Sequence, residues 1–271
     1  MTKIGIMGLG KMGEAVVQGL KRTGHNRDYH IRGTTRSQES AKEASKRLGI
    51  SCSTDNADLV KDSDILLLCV KPHQAESVLK SVATQITSKH LIISICASIT
   101  SQQIHEWSGG KAAVIRAMPN TPCLIGEGMT VYCPGPSAKS AHSELVAKIF
   151  GTLGKTAQLE ESLMDGATGL SGCGPAYVYL IIEALSEAGV KVGLPRHVAT
   201  LLAAQTLSGS AKMLLERGKH PAELKDEVTT PAGCTIDGLM ALEEGKLRVT
   251  LIKAVLAAEK KSRKLRLRKK V

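Results

Sequence analysis

Residues 225–243 join a hydroxyl-rich turn directly to the start of a helix. Pro231 and Gly233 set the turn, and the backbone N–H groups beside them have no evident side-chain partner. Thr235 reads as the N-cap of a helix in which Ile236, Leu239, Met240 and Leu242 recur at helical spacing, with Gly245 as its stop. Free N–H groups and the positive end of a helix dipole suit a small anion such as a carboxylate. The hydroxyls of Thr230 and Thr235 stand beside that position. An ordinary helix cap uses the same residue types, so on these residues alone both readings stay open.

A second chemical signal lies near the other end. The apolar run Lys3–Met7 is followed by Gly8-Leu9-Gly10-Lys11-Met12-Gly13 and then by Ala15, Val16, Val17 and Leu20. Strand, glycine turn and helix come in the order of a dinucleotide-binding fingerprint. Gly8 permits the tight turn, Gly10 lets backbone approach a pyrophosphate, and Gly13 lets helix and strand pack closely. About 20 residues on, where an NAD site offers an acid to the ribose, the chain reads Gly33-Thr34-Thr35-Arg36-Ser37, with no acid before Glu39. Arg36 can pair with a 2′-phosphate that a carboxylate would repel, and the hydroxyls can donate to it, so the sequence prefers NADP. A solvated basic loop would carry the same residues.

Several separate segments resemble one family. The run Leu224–Glu243 is similar to the signature of pyrroline-5-carboxylate reductases, which reduce a cyclic imine acid to proline. It departs from the usual Pro-Gly-Gly-Thr-Thr form at Ala232 and Cys234. Ser171-Gly172-Cys173-Gly174-Pro175-Ala176-Tyr177 resembles the family's Ser-Gly-Ser-Gly-Pro-Ala-Tyr, with Cys173 for the second serine. Val70-Lys71-Pro72-His73, Cys96-Ala97-Ser98 and Pro119-Asn120-Thr121-Pro122 resemble its cofactor-facing segments.

The likeness runs from Lys3 to about Lys264. It implies NADPH, with NADH as a second acceptable cofactor, and reduction of 1-pyrroline-5-carboxylate to L-proline. Thr235 is implied as the catalytic residue, facing the ring nitrogen. Thr230, Pro231, Ala232, Gly233, Cys234 and Ser171 are implied in substrate binding. The cofactor would be held by Gly8, Leu9, Gly10, Lys11, Met12, Gly13, Thr35, Arg36, Ser37 and Asn56, and further along by Val70, Lys71, Pro72, Ala97, Asn120 and Thr121. An intertwined dimer, or an assembly of dimers, is implied as well.

The same two-domain plan also serves hydroxy-acid dehydrogenases, whose G-x-x-G-x-G-x-x-x-K-x-x-N segment carries a catalytic lysine. Gly169, Gly172 and Gly174 fit that frame, but Val178 and Ile181 fall where Lys and Asn belong. Interconverting an alcohol and a ketone needs a group that handles the hydroxyl proton, and valine cannot do so. An iminium already carries its proton on nitrogen. Val178 therefore favours imine reduction over NADP-dependent hydroxy-acid oxidation.

The elements that must position these residues follow from the hydropathy pattern. Ile65–Val70 is a short continuous apolar run, read as a buried strand; Leu91–Ile95 and Ala113–Met118 read as two more, with further strands at Tyr29–Arg32, Met129–Tyr132 and Thr156–Leu159. Strands separated by helices imply an α/β fold, a Rossmann-type doubly wound sheet with ligands beyond its carboxyl edge. After Leu163 the chain turns helical, with Pro175, Pro195 and Pro221 opening helices and Gly189 and Gly218 closing the first two. Apolar and small residues cover most of the circumference of the helix after Pro195, as a buried or dimerising helix requires. The expected domains are a dinucleotide-binding domain over 1–162 and an all-helical substrate-binding and dimerisation domain over 163–271.

Composition sets the bounds. With 42% apolar residues in 271, the chain can build a sizeable core and is not disordered. No apolar run reaches the roughly 18 residues of a membrane helix. A strand at the first residues leaves no room for a secretory leader, and seven scattered cysteines without a C-x-x-C pair suggest a reducing compartment, so a soluble cytoplasmic enzyme is expected. The eight histidines lack metal-ligand spacing, and no metal is expected. The net charge of +11 is concentrated at the end, where Lys260, Lys261, Arg263, Lys264, Arg266, Arg268, Lys269 and Lys270 crowd together. Such a terminus can bind nucleic acid. With only 2% aromatic residues for bases to stack on, it reads instead as the frayed, solvated end of a last helix spanning Leu251–Ala258.

Overall fold

The computed structural model describes residues 1–267. Its strands are β1 (Thr2–Met7), β2 (Tyr29–Thr34), β3 (Ser51–Ser53), β4 (Ile65–Leu68), β5 (Leu91–Ser94), β6 (Ala113–Pro119), β7 (Gly128–Pro134) and β8 (Gly154–Gln158). They form one sheet in the order β3-β2-β1-β4-β5-β6-β7-β8. Every neighbouring pair is parallel except β6 and β7. β3 is a strand that no apolar run foretells; its three residues are held by pairing with Arg32–Thr34 of β2.

The helices of this part are α1 (Lys11–Arg22), α2 (Gln38–Leu48), α3 (Asn56–Lys61), α4 (Ala75–Val82), α5 (Ser101–Trp107), α6 (Ser140–Gly151) and α7 (Met164–Ala167). Strand alternation sends successive side chains to opposite faces of the sheet. Ile65 and Leu67 of β4 join Val16, Leu20, Leu48 and Phe150 on the face covered by α1, α2 and α6. Leu66 and Leu68 join Leu59, Leu79 and Ile104 on the face covered by α3, α4 and α5. Burial on both faces is why β4 reads as a continuous apolar run.

The chain leaves β1 toward β2 and β3, then returns to the other side of β1 at β4. The strand order therefore reverses between β1 and β4, and a crevice opens beyond their carboxyl ends. Two close approaches fit the elements around β1, one at the turn beyond its carboxyl end and one against the chain entering β4. A Cβ on Gly33 would lie 2.2 Å from Leu9 Cδ1, and one on Gly5 would lie 2.3 Å from Ser63 Oγ. Only glycine leaves room at these two positions.

The chain divides into two compact units, one of residues 1–173 together with the described residues from Ala257 on, the other Gly174–Leu256. The second contains α8 (Gly174–Lys191), α9 (Arg196–Arg217), α10 (Pro221–Glu227) and α11 (Cys234–Glu244), and α12 (Leu247–Leu267) begins in it. α8 and α9 pack closely because Gly189 has no side chain: a Cβ there would lie 2.7 Å from that of Ala199. α9 starts after Pro195 and ends at Gly218, whose φ of 63° is the left-handed stop expected of a glycine. Leu201, Leu202, Met213 and Leu215 of α9 are exposed on the single chain.

The expected frayed terminus is corrected here. α12 continues to Leu267, and Ser262 is buried rather than solvated. Arg266 Nε donates to the carboxylate of Asp165 at 2.9 Å, and burial of Asp165 demands such a partner. Arg268, Lys269 and Lys270 lie outside the described residues.

Phe150 tests the face built by α6. Phe150→Ala is expected to lower stability by about 3–5 kcal/mol in urea unfolding, because the ring is fully buried between α6 and the sheet. Affinity of the folded fraction for NADPH should not change, since α6 does not border the crevice. A loss below about 1 kcal/mol would show that the site collapses around the missing ring.

Candidate active site

The glycine turn after β1 is shaped by its neighbours. Gly8 has φ of 91°, and a Cβ on it would lie 2.8 Å from Val70 Cγ1. The N–H groups of Gly8 and Leu9 both donate to the carbonyl of Thr34, at 3.2 and 2.8 Å, which ties the turn to the end of β2. Gly13 faces Ile6, where a Cβ would have a methyl at 3.1 Å. Gly10 is different. A Cβ there would meet no protein atom within 4 Å, so this side of the turn is open. Gly10 is also the N-cap of α1 and supplies no capping side chain. The first N–H groups of α1 thus combine with the dipole to favour an anion.

The turn borders a cleft of 510 Å³ at the switch in strand order. Of the residues expected at a cofactor, Gly8, Leu9, Gly10, Thr35, Arg36, Asn56, Val70 and Lys71 line it. Thr34 Oγ1 donates to Asn56 Oδ1 at 2.7 Å, which holds that amide at the cleft wall. Arg36 is exposed and makes no ion pair among the described residues. Lys11 and Met12 carry the chain into α1 with Gly13. Ser37 turns away to cap α2, its hydroxyl accepting from the Ser40 N–H at 3.2 Å. Pro72 opens a short 3₁₀ turn after Lys71.

Ala97, Asn120 and Thr121 follow β5 and β6, farther along the same edge of the sheet. Beside Ala97, Ser98 adopts φ of 59°, a left-handed conformation that costs a non-glycine residue on the order of 1–2 kcal/mol. Asn120 Nδ2 donates to the carbonyl and hydroxyl oxygens of Ser171 at 3.3 and 3.4 Å, and its Oδ1 accepts from the Met129 N–H at 2.9 Å. Asn120 thereby brings Ser171 to the end of β6. Ser171 itself sits in a π turn, Thr168–Gly172.

One wall was missed by sequence reasoning. Ser40, Glu43, Ala44 and Arg47 of α2 line the cleft, spaced as one helical face. That periodicity was the available signal. The face adds one acid, Glu43, and a third cation, Arg47, which is paired with Glu14. Cys69 lines the cleft as well, and burial pushes its thiol well above the ordinary range. Burial, then the nearby Glu161, pushes Cys133 up to about 12. Such thiols stay protonated and are poor nucleophiles. Among the described residues no cluster of three or more His, Cys, Asp or Glu could hold a metal.

The threonine turn lies in the second unit. Gly233 N–H donates to the carbonyl of Thr230 at 3.1 Å, closing a tight turn with Pro231 in its second position. Ala232, in the third, has φ of 58°, where glycine is at ease and alanine is strained. Gly233 is required by the Thr230 hydroxyl, which would lie 2.5 Å from an added Cβ. The N-cap of α11 is Gly233, not Thr235. The turn hands the chain into the helix two residues earlier than its hydroxyls suggest, so Cys234 and Thr235 are already helical. No side chain caps α11. The Thr235 hydroxyl is consequently not needed as a cap, and Gly233 leaves the first N–H groups of the helix uncovered. At the other end Gly245 closes the helix, but the left-handed residue is Lys246, φ 57°.

A doubly wound sheet with a glycine turn and an uncapped helix start at its switch point defines a Rossmann-type NAD(P)-binding protein. Its first part, residues 3–98, matches a family model described as NADP oxidoreductase, coenzyme F420-dependent. Residues 161–265 match one described as pyrroline-5-carboxylate reductase dimerisation. The chain is 41% identical to the pyrroline-5-carboxylate reductase of Glycine max over 97% of its length and 95% of that protein's. Among solved structures it is similar to a pyrroline-5-carboxylate reductase from Coxiella burnetii (32% identity, TM-score 0.92, covering 97% and 98% of the two chains). It is also similar to the Plasmodium falciparum pyrroline carboxylate reductase with NADP bound (35%, TM-score 0.85, 98% of each chain). The chain belongs to the pyrroline-5-carboxylate reductase family.

Arg36 offers a direct test of the cleft. Arg36→Ala is expected to weaken NADPH by about 1.5–3 kcal/mol, roughly ten- to a hundredfold in Kd, and to leave NADH nearly unchanged. Fluorescence titration with both nucleotides reads the difference. Equal losses would place Arg36 away from the 2′-phosphate.

Proposed function

We propose that this chain reduces 1-pyrroline-5-carboxylate to L-proline with NADPH, the last step of proline biosynthesis. One observation carries the reading: in a member of this family, α11 begins on Gly233 with no capping side chain, directly after the Thr230–Gly233 turn. The free N–H groups and dipole of α11 hold the substrate carboxylate, flanked by Pro231, Ala232, Gly233 and Cys234 and helped by the Thr230 hydroxyl and Ser171. Thr235 hydrogen-bonds the ring nitrogen and fixes the face of the C=N bond. The cleft beside the open flank of Gly10 would take the nucleotide; the start of α1 would hold its pyrophosphate, and Thr35 and Arg36 its 2′-phosphate. Lys11, Met12, Gly13, Ser37, Asn56, Val70, Lys71, Pro72, Ala97, Asn120 and Thr121 complete its surroundings. When bound, NADPH supplies the hydride that reduces the C=N bond.

The chain's own contribution is positioning and fixed dipoles around charge, since the iminium brings its own proton. Val178, half-exposed on α8, offers no acid or base to a hydroxy acid. A homodimer, or an assembly of dimers, covers the exposed leucines of α9, with 162/163 as the boundary between the nucleotide-binding and dimerising domains. No helix among the described residues is long and apolar enough to cross a membrane, and we assign the enzyme to the cytoplasm with no specific nucleic-acid partner.

Purified protein should oxidise NADPH only when 1-pyrroline-5-carboxylate is added. Thr235→Ala is expected to lower kcat by about 1–3 kcal/mol in barrier, with NADPH affinity little changed. Turnover equal to wild type would remove Thr235 from the reaction. Oxidation of small 3-hydroxy acids with NADP, in place of imine reduction, would overturn the assignment.

A further inference from the structure

Asp165 is 3% exposed, and both its carboxylate oxygens are engaged by residues about a hundred positions later. Ser262 Oγ donates to Oδ1 at 2.8 Å and Arg266 Nε to Oδ2 at 2.9 Å. A buried carboxylate left without partners is strongly unfavourable, so these contacts select one seating of the last turns of α12 against α7.

α7 runs directly into the π turn that carries Ser171. Thr168 Oγ1 donates to the Met164 carbonyl at 2.8 Å, and the Cys173 N–H donates to the Thr168 carbonyl at 2.9 Å. Wide π turns of this kind occur often at functional sites, because they aim side chains that a regular helix would not. The segment is braced twice against the sheet. Glu161 accepts from the Ser101 N–H at 2.8 Å and hydroxyl at 2.6 Å, and pairs with buried Arg116 at 3.4 Å. At its far end Asn120 holds Ser171, and Gly172 sits so close to Met118 that a Cβ would lie 2.8 Å from its terminal methyl. Between these two braces, the Asp165 contacts are the ones that come from the chain's end.

We infer that Ser262 and Arg266 are positioning residues for the Ser171 turn, acting through Asp165. Arg266, one charge of the basic end, is then part of the support of the substrate site. This rests on the proposed reading of Ser171 as a substrate-binding residue.

The test uses the full-length protein with Arg266→Ala, Arg266→Lys and Ser262→Ala. Arg266→Ala should raise KM for 1-pyrroline-5-carboxylate on the order of fivefold while kcat and NADPH Kd stay close to wild type. Arg266→Lys should recover most of the loss by restoring a cation beside Asp165, and Ser262→Ala should give a smaller rise in KM. Amide hydrogen exchange should quicken over residues 168–172 in Arg266→Ala and stay unchanged over residues 8–13. If the wild type reduces no imine acid, the substrate reading fails, and the exchange pattern alone decides the clamp. Should Arg266→Ala not fold, Ser262→Ala is read by the same two measurements. Unaltered KM and unaltered exchange over 168–172 in the folded variants would overturn the inference. So would parallel losses for imine acid and NADPH, which mean general destabilisation.

Discussion

Backbone N–H groups at two helix starts, kept clear of the protein's own side chains, are the constraint on which this molecule depends. α1 begins on Gly10 and α11 on Gly233, and neither cap supplies a side chain. α2, α3 and α5 instead begin on Ser37, Asp55 and Thr100, whose oxygens accept the first N–H groups, while α4 and α9 also lack a side-chain cap but have no glycine at the start. A glycine cap costs only about a few tenths of a kcal/mol relative to Ser, Thr, Asn or Asp, so leaving these starts open is cheap. The proposed anionic ligands would recover that cost by taking the place of the missing oxygen.

Keeping those starts clear places demands on the packing around them. Gly8 must turn with positive φ against Val70, and Gly33 must leave space for Leu9, or the turn after β1 would be pushed out of the crevice. The two faces of the sheet are filled independently, by α1, α2 and α6 on one side and by α3, α4 and α5 on the other. That double burial makes β1 and β4 a rigid base for the turns at their carboxyl ends. Two of the four left-handed non-glycine residues, Ser98 beyond β5 and Ala232 before α11, stand beside proposed ligand positions; Ser137 and Lys246 do not. Such conformations persist only when the surrounding structure over-determines them.

Polar ties do a second kind of work between residues 161 and 172. Glu161, Asp165 and Ser171 each reach a different partner: Ser101 with Arg116, Ser262 with Arg266, and Asn120. These partners, from separate parts of the chain, act beside the apolar anchor that buried Met164 makes with Val131 and Cys133. Charge that looks superfluous in composition, such as Arg266, is consumed by one of these ties.

Much of the architecture was written locally. Gly8 and Gly13 after an apolar run go with a strand, a turn and a helix, because each answers a contact with its own turn or the adjoining strand, while Gly10 leaves the turn open. Pro195 and Gly218 bound α9 for reasons of backbone geometry that act within one turn. What tertiary structure decided involves contacts distant in the chain. β3 exists because β2 offers it hydrogen bonds, and the cleft wall of Ser40, Glu43 and Arg47 exists because α2 is folded over the sheet. Thr235 read as a cap, but the Thr230 turn moves the helix start to Gly233. The end of α12 read as frayed because its partner, Asp165, lies about a hundred residues away, a separation over which charge and periodicity carry no information.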